Sequence, residues 1–533
     1  MLIWMDSMEF AALYRRQRFA SLAAEESTLM QRLQQVRIEM NECVPICCLP
    51  TEILAAIFTY ARDPELLSQV CSRWRSIVMA YPELWTFTAV IGQSASWISY
   101  RAEKSGNAPL NIWLEDGEDE KLPSEFTAEL CRHTDRFKNV VAELIPKNMR
   151  AFAKLFKRRW DRLENLTLTV PDPYVIPPLV DLPHSASSPS ALQSLDMLRV
   201  LPKTWTDVSF FRNLRVLSLC ADRIIASIAP PVASFIDALQ NCHLLEQLHL
   251  LNAAPKPLSL DITEHPEAHQ VAQLSRLKYV QLFMNREVDA AYLLAHLALP
   301  ADLQLYLQVE DDRVVRDAPI GPLACLPRDC SNLDFIHALS DLTIDCSHTV
   351  TAAVDAKAVC TNVQDHPIGK HPLCYEVHTA TYKSQGQIAA FRTTVRRLGP
   401  CFRHGVLRTL SFIITLKLLR SVKTEEWKDA FSSLHCLQEI RIEDITPSAQ
   451  RNGHGSGRPE HPKRLLLALT ASSPSSIVAP SLDVLDFMNV DPQSFASIDA
   501  EISACIQSRT SGRADEDTSF HVKINGSRWQ ASS

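Results

Sequence analysis

The chain has 533 residues, 46% of them apolar and 22% charged, and a formal net charge of −7. This is ordinary globular composition, and the length allows a large core in roughly three to four domain-sized units or one long repeat array. The balance gives no basic field for nucleic acid or a membrane surface, and 13 glycines, with no GxGxxG or GxxxxGK[ST], argue against a phosphate-cradling loop.

At the N-terminus, "MLIWMDSMEF" lacks the basic and continuous apolar regions of a secretory signal. No apolar run reaches the ~18 residues of a membrane span; "VLRTLSFIITLKLLR" is broken by Arg408 and Lys417. The fifteen cysteines therefore read as reduced thiols of an intracellular protein, cytoplasmic or nuclear, and the sequons at Asn165 and Asn525 carry no meaning.

Residues 8 to 42 read as one helix. Phe19, Leu22, Leu29, Leu33, Val36 and Met40 recur at three–four spacing, with Glu26 interrupting one core position. About three heptads result, the lower limit of a coiled coil. Either this helix self-associates or docks through residues 13–40, or it folds against its own chain.

Residues 45 to 90 carry the densest pattern. In "LPTEILAAIFTYA", Ile53, Leu54, Ile57, Phe58 and Ala61 share one helical stripe; Pro50 suits the first turn, and Glu52 lies where the helix dipole favours an anion. Asp63 caps a second helix and Pro64 opens it. Its stripe runs through Leu66, Leu67, Val70, Cys71, Trp74, Ile77 and Val78, with Arg73 and Arg75 flanking Trp74, until Pro82 ends it before Leu84 and Trp85. Two helices offer one mutual interface, and a unit of about 40 residues is marginal alone. Some of this apolar surface must meet the rest of the chain or a partner.

Past the acidic loop "LEDGEDEK", leucine, two variable residues, an apolar residue, one variable residue and another apolar residue recur. The copies are "LENLTL" at Leu163, "LRVLSL" at Leu214, "LEQLHL" at Leu245, "LKYVQL" at Leu277, "LSDLTI" at Leu339, "LRTLSF" at Leu407, "LQEIRI" at Leu437 and "LDVLDF" at Leu482, with a weaker "LQSLDM" at Leu192. A long gap before Leu407 is read as hiding a degenerate copy near "LCYEVH". Apolar residues two apart fit one face of a short strand. "VASFIDALQNCHLLEQLHL" adds a helix and a turn before the strand. "PHSASSP" and the segment 448–463 read as loops, and the tail from about Arg509 as loose.

These motifs resemble known families. "LPTEILAAIF" followed by "LLSQVCSRWRSIVMAYPELW" resembles an F-box at Leu49, Pro50, Glu52, Ile53, Leu54, Ile57, Phe58, Val70, Cys71, Trp74, Arg75, Pro82, Leu84 and Trp85. The Cys-Cys step before Leu49 departs from the family's usual lead-in. The recurring copies resemble leucine-rich repeats, without the asparagine ladder of regular ones. The whole layout is similar to F-box proteins of mushroom-type fungi. The resemblance implies an α+β chain: an N-terminal helix (1–43), a small helical F-box (44–90), an irregular leucine-rich-repeat α/β horseshoe solenoid (91–505) and a flexible tail (506–533). It also implies that Leu49, Pro50, Ile53, Leu54, Ile57 and Phe58 supply much of the contact with a Skp-type adaptor, that Val70, Cys71, Trp74 and Trp85 divide between the box core and that contact, and that Leu84 belongs to the adaptor-binding set as well. That adaptor would link the chain to a cullin ubiquitin ligase, while the repeats recruit an unknown protein target.

Other constellations carry little. His265 and His269 are i, i+4, but Pro266 stands where HExxH needs its glutamate. Cys360, His366, His371 and Cys374 are ligand types without a CxxC pair. Cys43, Cys47 and Cys48 read as small apolar residues at the start of a helix. Lys157-Arg158-Arg159 fits a solvated helix face better than an import signal. "GHGSG" has Gly455 where a nucleophile would stand. The expectation is a non-enzymatic, substrate-recruiting ligase subunit without metal or cofactor, binding neither nucleic acid nor membrane. The alternatives are a scaffold with the same modules outside any ligase, and an enzyme of unrecognised type in the repeat region.

Overall fold

In this computed structural model the described residues are 2–90, 94–116, 122–174, 176–182, 191–205, 208–221, 230–253, 255, 271–284, 287–311, 322–350, 353–360, 373–379, 384–445, 462–471, 477–491, 495, 497–510 and 520–530. The chain forms two compact units: residues 1–118 with 123–140, and residues 119–122 with 141–533.

The first unit opens with α1 (Leu2–Glu42), 41 residues long. A short 3-10 turn at Pro45–Cys48 leads to α2 (Thr51–Ala61), with Pro50 one residue before it and Glu52 in its first turn. α2 stops where Arg62 turns left-handed (φ 54°), a conformation usually left to glycine. In α3 (Pro64–Val70), the Asp63 side chain accepts the Leu66 N–H at 3.0 Å, the cap expected from the sequence.

The single helix expected from Pro64 onward is two. Cys71 is extended (φ −158°, ψ 170°), and α4 (Ser72–Ala80) starts afresh with the Cys71 sulfur accepting the Trp74 N–H at 3.5 Å. The arginines beside Trp74 stabilise the break. Arg75 Nε donates to the Ser68 carbonyl at 2.9 Å, one of the orphan carbonyls at the end of α3. Arg73 Nη2 donates to the Leu49 carbonyl at 2.6 Å, closing the turn before α2. Continuous periodicity hid this corner, because Cys71 is both apolar enough for a stripe and a weak cap.

After a 3-10 turn (Pro82–Trp85), β1 (Phe87–Val90) pairs in parallel with β2 (Leu110–Glu115) across α5 (Ala95–Lys104). Arg101 on α5 is buried, donates to Glu65 Oε1 at 2.8 Å and to the Phe87 carbonyl, and lies 4.4 Å from the Trp97 ring. It fastens α3 to the helix that follows the box.

In the second unit every Leu-x-x-apolar-x-apolar copy becomes a strand: Asn165–Thr169, Ser194–Leu198, Val216–Cys220, Gln247–Leu251, Tyr279–Met284, Asp341–Val350, Thr409–Ile414, Glu439–Asp444 and Val484–Met488. The first five pair in parallel, in chain order. Their register aligns Leu166, Leu195, Leu217, Leu248 and Val280 in one row and Leu168, Met197, Leu219, Leu250 and Leu282 in the next, all buried. The opening leucines, Leu163, Leu192, Leu214, Leu245 and Leu277, are buried too. One strand–helix unit cannot cover both of its faces, and stacked neighbours can. Helices return the chain before several strands, as Val232–Gln240 does ahead of Gln247–Leu251.

Three features depart from the sequence expectation. The strand Gln304–Asp311 continues the array with Leu305 beside Val280 and Leu307 beside Leu282. Its opening Leu303 stands one residue closer to the strand than in the other copies, so the spacing concealed it. The segment near "LCYEVH" is indeed a strand, Leu373–Thr379, parallel to Gln304–Asp311. Beyond it, however, Ala353–Cys360 runs antiparallel to both of its neighbours, so sheet order and chain order part. The fold is thus mixed helix and strand with a mainly parallel sheet, and the uninterrupted succession of a horseshoe solenoid is not what the sheet order gives. Finally, the tail is anchored: Asp499–Thr510 is a helix, and His521–Ile524 adds a strand parallel to Val484–Phe487, with Phe520 and Val522 buried. Arg509, expected to begin a loose tail, is buried and donates to the Leu469 and Val478 carbonyls at 3.2 and 2.9 Å.

The segment 183–189, most of 448–463, His265, His269, His366, His371, Gly455 and residues 117–121 of the acidic loop lie outside the described residues.

Candidate functional site

The helical unit around α2–α4 sorts its apolar residues into two groups. Leu54, Ala55, Phe58, Ile77, Val78, Leu84 and Trp85 form a buried cluster, with Ile46, Leu49, Leu67, Trp74 and Tyr81 packed around it. The Trp85 indole N–H donates to the Val78 carbonyl at 2.9 Å, tying the last turn to α4. Trp74 lies on Phe58, ring centroids 4.7 Å apart and tilted 53°. It is half-buried, and its indole N–H has no hydrogen-bond partner among the described residues.

The second group faces outward. On α2, Ile53 is 49% and Ile57 41% exposed, one turn apart, with Pro50 exposed ahead of them. Tyr60, a further turn on, is 87% exposed. On α3, Leu66 and Val70 stand at 62% and 55%. So of the eleven adaptor-contact candidates, Pro50, Ile53, Ile57 and Val70 present surface, and Leu49, Cys71 and Trp74 present part of theirs. Leu54, Phe58, Leu84 and Trp85 have almost none to offer, because they hold the unit together. Tyr60 and Leu66 join the outward group without having been singled out as contacts. For Tyr60 the signal was present, since it continues the Ile53, Ile57 spacing along the helix.

On α2 the two groups are opposite faces of one helix, and between α3 and α4 the corner at Cys71 separates them. The corner turns α4 away from the line of α3, so Ile77 and Val78 point into the core while Leu66 and Val70 stay outside. Arg75 ties the corner to the end of α3, Asp63 caps the start of α3, and Arg73 ties α4 to the turn before α2, each through a backbone group. Glu65 is held by Arg101 on α5. The outward residues Ile53, Ile57, Tyr60, Leu66 and Val70 thus stand on a frame held by side-chain-to-backbone hydrogen bonds and the Glu65–Arg101 pair.

The other candidate groups do not gather. Cys43 and Cys48 are exposed rather than packed; the Cys48 thiol points to the Glu42 and Val44 carbonyls at 3.7 and 3.8 Å. Among the described residues no group of three or more His, Cys, Asp or Glu is placed to hold a metal ion, and no helix is long and apolar enough to cross a membrane. Asn165 opens one strand of the second unit, and Asn525 ends another in a left-handed turn (φ 49°).

No curated protein matches the chain. The stretch that builds this surface, from the turn before α2 to the start of β1, does match a family: residues 46–88 form an F-box-like domain.

Proposed function

We propose that the chain is a substrate-recruiting subunit of a Skp/cullin/F-box ubiquitin ligase, with no chemistry of its own. The observation that carries the proposal is the exposed apolar surface of α2 and α3 within the F-box-like segment, since F-box domains typically bind Skp-type adaptors. In this reading Pro50, Ile53, Ile57 and Val70 enter the adaptor interface, Leu49, Cys71 and Trp74 line its edge, and Leu54, Phe58, Leu84 and Trp85 support it from below. The second unit is read as a divergent leucine-rich-repeat array, of the kind that accompanies the box in mushroom-type fungal proteins. Its half-buried polar row, Thr167, Asp196, Ser218, His249, Gln281 and Tyr306, runs strand to strand and offers the target a continuous face. The mechanism is proximity: a target held near the ubiquitin-charged enzyme reacts at a raised effective concentration. The workplace is the cytoplasm or nucleus, where such ligases act.

The test is co-purification of the full chain with a Skp-type adaptor, against the variant carrying Ile53→Ala and Ile57→Ala. Truncated interface anchors of this kind cost ~2 kcal/mol or more each, so the double variant should retain less than about a tenth of the adaptor. Equal recovery from both proteins would sink the proposal. Adaptor recovered without cullin would favour the second reading, a scaffold that uses the same surface outside any ligase.

A further inference from the structure

Helix α1 carries an apolar seam that stands outside the buried cluster of the box. At 1.5 Å per residue its 41 residues span about 60 Å. Every residue from Glu9 to Gln35 is exposed, including Phe19 at 75%, Leu22 at 48% and Leu29 at 64%. A helix this long is not held in water by propensity alone; an amphipathic helix normally gains its stability from whatever covers its apolar seam.

The composition of the seam says what covers it. Positions at strict three–four spacing are Ala12, Arg15, Phe19, Leu22, Glu26, Leu29, Leu33, Val36 and Met40. Two of the nine are charged, of opposite sign, and equally far from the point between Ala20 and Ser21. Neither has an oppositely charged neighbour three or four residues away on its own helix: Arg15 has Ala11, Ala12, Arg18 and Phe19, and Glu26 has Leu22, Ala23, Leu29 and Met30. The same holds for Arg18 and Glu25 on the flank of the seam. A parallel pair of such helices would put Arg15 against Arg15 and Glu26 against Glu26 in its core. It would also set Arg32 across from Arg37 at the flanking positions that govern partner choice.

Reversing one helix about the point between Ala20 and Ser21 removes every one of these conflicts. Phe19 then lies beside the partner's Leu22, Ala12 beside the partner's Leu29, and Arg15 beside the partner's Glu26. On the flank Arg18 meets the partner's Glu25. Two-fold symmetry makes each pair twice. We infer that α1 pairs antiparallel with α1 of a second copy of this chain, in the register that sets Arg15 against Glu26 and Arg18 against Glu25. The two inner ion pairs fix orientation and register, a role that isolated polar residues fill in coiled-coil seams, and the apolar layers on both sides supply the affinity.

The charges provide the test. Sedimentation equilibrium of the full-length chain across the micromolar range should show a dimer. R15E and E26R should each weaken association by more than about tenfold, because each leaves two like-charged contacts in the seam. Carrying both changes in one chain restores opposite charges at all four positions, so the double variant should return to within about threefold of wild type. R18E, E25R and their combination repeat the cycle on the flank, with smaller changes in the same directions. Far-UV circular dichroism of each variant shows that the helix is intact. A wild-type monomer throughout the range overturns the inference. So does a double variant as weak as the singles, or singles that associate like wild type, the result a parallel pair would give.

Discussion

Trp85 and Ile57 stand in the same short domain and are both apolar, yet only one of them has surface. Trp85 is 1% exposed and hydrogen-bonded through its indole to Val78, whereas Ile57 is 41% exposed on α2. Their truncation should therefore separate folding from docking. Trp85→Ala removes a buried aromatic and a hydrogen bond, a loss of about 3–5 kcal/mol. Hydrogen exchange across residues 51–85 should rise accordingly. Ile57→Ala leaves a half-solvated site and should cost less than about 1 kcal/mol, with exchange in the domain nearly unchanged while adaptor capture falls. Similar exchange in both variants would mean that the buried and exposed groups are wrongly divided. Arg73 and Arg75 show what single residues add that a stripe cannot: their hydrogen bonds tie α4 to the Leu49 carbonyl before α2 and to the Ser68 carbonyl at the end of α3.

At the scale of elements, periodicity placed most strands and left their relations open. The opening leucine with apolar residues after it marks strands throughout the second unit, because a strand that buries one face must alternate. Gln304–Asp311 escaped because its turn is one residue shorter, and the antiparallel strand Ala353–Cys360 because alternation carries no direction. The corner at Cys71 escaped because sulfur can serve a stripe or a cap. Within the candidate site, the sequence established which residues are apolar, but core and face differ by which side of α2 they stand on and by where the corner turns α4. A helix end that no stripe predicts lies at Thr424–Ser432. There Glu426 accepts from Arg392 at 2.6 and 3.1 Å, from Arg396 Nε at 2.8 Å and from the Lys423 N–H at 2.8 Å. Burial alone would raise its carboxyl pKa, but the hydrogen bonds from Arg392, the Lys423 amide and Arg396 outweigh it and pull the value from 4.5 to about 2. A carboxyl depressed in the folded state stabilises fully above its unfolded value and loses that contribution as pH falls toward the folded one. Glu426→Gln should therefore lower stability at neutral pH by about 1–2 kcal/mol, after allowance for solvent screening. The gap to wild type should close between pH 4.5 and 2. Denaturant melts at pH 7, 4 and 2.5 read this directly, and a gap of constant size would refute it.

For the molecule as a whole, the question is what ends the long sheet of the second unit. A parallel array that stops abruptly leaves its last strand with unpaired N–H and C=O groups, a template for aggregation. Val484–Met488 is the last copy of the repeating motif, and its inward Leu485 and Phe487 are fully buried. What covers its edge is His521–Ile524, paired in register from Val484 to Phe487, and then the short antiparallel turn to Ser527–Arg528. Arg509 holds the preceding helix to this closure, with its guanidinium 5.1 Å from the Phe520 ring. Terminal units of repeat arrays need such caps because they have a neighbour on one side only. Removing residues 511–533 should thus do more than shorten a tail. It strips Phe520 and Val522 from the core and opens the Val484–Met488 edge, and burial of two such side chains is worth roughly 3–6 kcal/mol. The truncated chain should melt several degrees lower and scatter light on mild heating, where the full chain stays clear. A truncated chain with the melting curve and solubility of the intact one would show that the last strand caps nothing.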